Sequence, residues 1–78
     1  MINSKDVKAA AELIDDLVTV RSLRNRLATG MRLQICALDA KESIWDDFVV
    51  DPAVARYIID TVEEHLGDAL AKLGVSPP

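Results

Sequence analysis

The apolar residues of this chain change period twice, from three-and-four spacing to alternation and back. That pattern restricts the fold more than any other feature, because period 3.6 specifies a one-sided helix and period 2 a half-buried strand. Between residues 4 and 28, Ala10, Leu13, Ile14, Leu17, Val20, Leu23 and Leu27 recur at the spacing of one helical face. Val7, Ala11, Ile14 and Val18 add a second row over the first half, and Glu12, Asp15, Asp16 and Thr19 hold the polar side. Asn3 or Ser4 can cap the start by accepting a hydrogen bond from an early amide. Gly30 supplies the left-handed residue that commonly ends a helix. At 1.5 Å per residue this helix spans roughly 37 Å, long for so short a chain.

From Met31 the apolar positions alternate through Leu33, Ile35 and Ala37, with Arg32, Gln34 and Cys36 between them. This predicts a half-buried strand. Asp39-Ala40-Lys41-Glu42 is a polar break suited to a hairpin turn. The next stretch, 43–50, carries Ile44, Trp45, Phe48, Val49 and Val50, and its interruption by Asp46-Asp47 predicts a bulge beside them. Asp51-Pro52 then starts a second helix, with a carboxylate cap and proline at the first helical position. Val54, Ile58, Val62, Leu66, Ala69, Leu70 and Leu73 form its expected buried face, with Ala55 and Ile59 at the border. Arg56, Asp60, Glu64, Asp68 and Lys72 form a solvated ladder. Gly74 and Val75 suit a Schellman end, and Pro77-Pro78 block continuation.

The expected fold is therefore α+β, in helix–β-hairpin–helix (αββα) order, as a single domain over residues 1–78. Its elements are a helix at 4–28, strands at 31–38 and 43–50, and a helix at 52–73. The two long helices should pack antiparallel, with the hairpin at one end or lying across them. A two-stranded ribbon alone is only marginally stable in water, so it must pack on a helix or join another subunit's strands.

Length sharpens that requirement. A chain of 78 residues has a thin core and usually needs a disulfide, a metal or a partner. One cysteine, Cys36, excludes an intrachain disulfide, and with one histidine, His65, it cannot build a zinc cage. Self-association is the support that remains. The first helix presents a wider apolar face than one opposing helix covers, so two protomers are expected to pair into a homo-oligomeric helical bundle. Leu13, Leu17, Val20, Leu27 and Trp45 are the expected interface residues.

Half of the residues are hydrophobic, which excludes a disordered chain. A net charge of −4, with a pI near 4.7, argues against direct duplex nucleic-acid binding, which needs a basic footprint. No apolar run approaches the ~20 residues of a membrane span. Met1–Asp6 lacks the basic-then-apolar order of a secretory signal. With an unpaired cysteine suited to a reducing compartment, a cytoplasmic location is expected.

No residue pattern specifies catalysis, a metal or a cofactor. Glu63-Glu64-His65 lacks the second histidine of a metalloprotease helix, and Asp46-Asp47 lacks the glycine and terminal glutamate of a calcium loop. The acidic doublets Asp15-Asp16, Asp46-Asp47 and Glu63-Glu64 read as solvated charge, His65 as a boundary residue and Cys36 as an inert or partly buried thiol. Arg21, Arg24, Arg26 and Arg32 are more informative. Arg21 and Arg24 share a helix edge, and Arg32 follows the turn back toward them. Together they suit an anionic ligand, with Tyr57 or Trp45 as a stacking partner. The simpler reading is compensation of the helix dipole, with salt bridges to the acidic second helix. The aromatics Trp45, Phe48 and Tyr57 are expected as core or interface anchors.

In size and element order the layout loosely resembles many short proteins encoded by bacteriophages and prophages, a likeness that transfers no functional residue. The expected function is that of a small acidic, non-enzymatic oligomeric interaction protein. Its partners would be itself and a further protein or an anionic small ligand. The alternative is an anti-defence factor. It would act either as an acidic inhibitor mimicking nucleic acid, or as an oligomer that sequesters an anionic nucleotide through Arg21, Arg24 and Arg32.

Overall fold

A computed structural model describes residues 4–77. Helix α1 runs Ser4–Ala28, strand β1 Gln34–Leu38, strand β2 Ile44–Val49 and helix α2 Pro52–Lys72. The order is α-β-β-α and the class α+β. The proposed cap at Asn3 lies outside the described residues.

Local chemistry sets each boundary. α1 ends in a Schellman pair: Gly30 N–H donates to the Leu27 carbonyl at 3.1 Å and Met31 N–H to that of Arg26 at 3.2 Å. Gly30 has φ +97°, a conformation that strains any residue with a Cβ. α2 begins where the Asp51 carboxylate accepts from the Ala53 amide at 3.0 Å. It ends with the same Schellman pattern, as Val75 N–H reaches the Leu70 carbonyl at 3.0 Å.

The strands are shorter than expected and antiparallel, with Ile35 opposite Phe48 and Cys36 opposite Asp47. The register shifts between Ala37, opposite Asp46, and Leu38, opposite Ile44, so Trp45 is the extra residue of a bulge. At the turn, Glu42 N–H donates to the Asp39 carbonyl at 2.9 Å and Asp39 N–H to that of Ser43 at 3.1 Å. Glu42 takes φ +63°, which makes a three-residue loop ending in a left-handed residue.

The core lies between the helices. Ala10, Leu17 and Val20 of α1 meet Ile59, Leu66 and Leu70 of α2, with Leu13, Ile14, Leu23, Leu27, Leu73 and Val75 half-covered around them. Leu17 and Leu70, 1% and 0% exposed, are the largest fully buried side chains among the described residues.

Four expectations are corrected here. First, the buried face of α2 is rotated: Ala55, Ile59, Leu66 and Leu70 are inside, while Val54 and Val62 are exposed. One partner helix covers a narrow seam, and the position between Ile59 and Leu66 goes to Glu63, which pairs with arginines of α1. Second, Leu17 and Val20, expected at a subunit contact, are consumed by this intrachain seam. Leu13 and Leu27 stay half-covered beside it. Third, the strands are not half-buried, because every residue of both is exposed. Fourth, Trp45, Phe48 and Tyr57 are all exposed, which removes the core half of the expectation for the aromatics and leaves its interface half.

The hairpin leaves the helix pair as an arm. Among the described residues helix packs on helix and strand pairs with strand, without helix–strand packing. The radius of gyration is 14.8 Å, against about 11.5 Å for a compact chain of this length. The accessible surface, 6090 Å², exceeds the about 4650 Å² of a compact monomer of this mass by about 1400 Å². No helix among the described residues is long and apolar enough to cross a membrane.

Candidate interaction site

Two features stand out beyond the helix seam: an arginine-rimmed cleft at the base of the arm, and the arm itself. The cleft opens where the end of α1 and the start of α2 meet the roots of the strands. It holds about 350 Å³. Leu27, Ala28, Leu33, Val50, Ala55 and Ile59 give it apolar walls, and Arg24, Arg32 and Arg56 reach its rim. Val50 is buried and donates its N–H to the Leu33 carbonyl at 2.8 Å, which closes the base of the hairpin.

The arginines divide into committed and available groups. Arg24 reaches Glu63 through Nη1 at 2.8 Å and Asp60 through Nη2 at 2.6 Å. Arg21 meets Glu63 through Nε at 3.1 Å. These bonds hold the Glu63 carboxyl below its ordinary range, Arg24 contributing most, and raise the Arg24 guanidinium above its own. Arg21 and Arg24 thus follow the simpler of the two readings, salt bridges to the second helix. Among the described residues Arg32 makes a long contact, Nη2 to the Val50 carbonyl at 3.5 Å. Arg56 stands 4.0 Å from Asp60 with its side chain 84% exposed. Arg24 and Arg32 therefore share the cleft, whereas Arg21 and Tyr57 are not among its lining residues.

Arg56 and Asp60 looked like surface ladder residues in the sequence, and Glu63 like half of an acidic doublet. What could have found them is the antiparallel register, which sets the last turns of α1 against the first turns of α2.

The arm is acidic and aromatic. Asp39, Glu42, Asp46 and Asp47 stand against one basic residue, Lys41, along its length. Asp39 organises the tip: Oδ1 accepts from the amides of Lys41 at 2.8 Å and Ser43 at 3.0 Å, and Oδ2 accepts the Trp45 indole N–H at 2.8 Å. The indole bond leads these three in lowering the Asp39 carboxyl below its usual range. Trp45 is nonetheless 73% exposed. Phe48, Ile44, Leu38 and Val49 are exposed along the arm as well.

His65 and Cys36 are exposed. Among the described residues no group of three His, Cys, Asp or Glu side chains is placed to hold a metal ion. No protein-family model, curated protein or solved structure matches the chain.

Proposed function

We propose that this chain is a non-enzymatic, self-associating interaction protein whose arm is completed by another subunit. The observation that carries the reading is the bare hairpin. Both strands are edge strands, every residue in them is exposed, and an isolated ribbon of this kind is marginal in water. The surplus surface of about 1400 Å² supports it, since a standard subunit contact covers about 800 Å² per partner. Exposed Cys36 suits a reducing, cytoplasmic setting, where it persists as a thiol. Native mass spectrometry of the full chain over a concentration series tests the reading. An oligomer that dissociates on dilution supports it, and a monomer throughout removes it.

A second reading, the anti-defence oligomer that sequesters an anionic nucleotide, draws on Arg32 and Arg56 at the cleft rim. It is weakened by Arg24, whose guanidinium already carries Glu63 and Asp60. Extra mass that leaves on denaturation would support this second reading, and an oligomer of bare chains would count against it.

A further inference from the structure

We infer that two copies exchange their arms about a two-fold axis, the Trp45-bearing tip of each hairpin seating on the arginine-rimmed cleft at the base of the other. This rests on the self-association reading above and adds the occupant of the cleft.

Charge complementarity selects the occupant. The cleft presents Arg32 and Arg56 at its rim, beside an Arg24 already paired with Glu63 and Asp60, and no carboxylate is among its lining residues. The arm presents Asp46 and Asp47 directly beside Trp45. Arg32 and Arg56 have the weakest internal contacts of the three arginines, at 3.5 and 4.0 Å, so they can turn toward carboxylates of a neighbour.

Shape agrees. Strands of five and six residues at about 3.3 Å per residue reach roughly 17–20 Å, the distance from the root of an arm to its tip. Two arms side by side in opposite directions therefore bring each tip to the other's root. Both clefts are filled in the same way, as an isologous two-fold contact requires. The bulge at Trp45 turns the largest exposed ring out of the regular ladder, and about 350 Å³ with apolar walls admits an indole. Among the described residues the cleft stands open and every strand residue of the arm is exposed, which leaves both surfaces accessible to a second copy.

Trp45 is the one tryptophan, so the unaltered protein reports on its own contact. Mass and tryptophan emission are followed together over a dilution series of the full chain. Arm exchange requires a dimer whose formation moves the emission to shorter wavelength with the same midpoint. A dimer in which the indole stays solvent-exposed overturns arm exchange and leaves self-association standing; a monomer at every concentration overturns both. A charge reversal gives an independent check. Arg32→Glu with Arg56→Glu, and separately Asp46→Arg with Asp47→Arg, should each weaken the homodimer about tenfold or more, and an equimolar mixture should recover a heterodimer. Circular dichroism of each variant establishes that it is folded. Folded variants that do not recover on mixing overturn the proposed pairing of tip and cleft.

Discussion

The indole of Trp45 donates to the carboxylate of Asp39 at 2.8 Å across the hairpin turn, which tethers the polar edge of a residue that is otherwise largely exposed. The same carboxylate accepts two backbone amides, from Lys41 and Ser43. Asp39→Ala removes all three acceptor contacts at once. Hydrogen exchange at Lys41 and Ser43 should quicken and tryptophan emission anisotropy should fall, while the helical circular dichroism at 222 nm remains within error. A parallel loss of helix signal would show that the arm and the helix pair unfold together.

Glu42 sits at φ +63°, where a side chain crowds its own backbone. Glu42→Gly should stabilise the hairpin by about 0.5–1 kcal/mol, since glycine takes this loop position without the steric penalty. Slower amide exchange in Ile35 and Phe48 is the expected readout.

The rotated face of α2 separates two substitutions that periodicity alone would rank together. Leu70→Ala opens a cavity in the seam and should cost about 2–5 kcal/mol, a large share of the about 4–12 kcal/mol available to a chain of this length. Val62→Ala, at a position 39% exposed, should change stability by no more than about 0.5 kcal/mol. Urea unfolding of dilute protein checks both, and equal costs would contradict the seam.

Acid should act in two places. Glu63 and Asp39 both have folded-state carboxyls lowered by their donors, so near pH 4 the unfolded chain binds more protons than the folded one. Stability from these groups is present above the unfolded value and is lost as the pH falls from about 5 through the lowered folded values. The raised Arg24 guanidinium adds nothing to this window, because it remains charged throughout. Glu63→Gln should flatten the acid dependence of the helix signal and leave that of Trp45 emission, which follows Asp39.

Much of the architecture was legible because its causes are local. The Asp51 cap, the Gly30 and Gly74 helix ends, the turn from Asp39 and the change of period are each set within a few residues. The bulge was expected beside Asp46 and Asp47 and falls at Trp45, one residue earlier. Other features depended on tertiary structure. Period 3.6 marks α2 as an amphipathic helix but does not specify which of two adjacent rows, Val54–Ile58–Val62 or Ala55–Ile59, meets the partner helix; packing and the Arg24–Glu63 pair decided that. Alternation likewise marks a strand without supplying anything to cover it, and only the path of the chain leaves the arm bare. The cleft assembles Arg24, Arg32 and Arg56 from residues 32 positions apart at their extremes, a juxtaposition set by the antiparallel helix register and carried by no local signal.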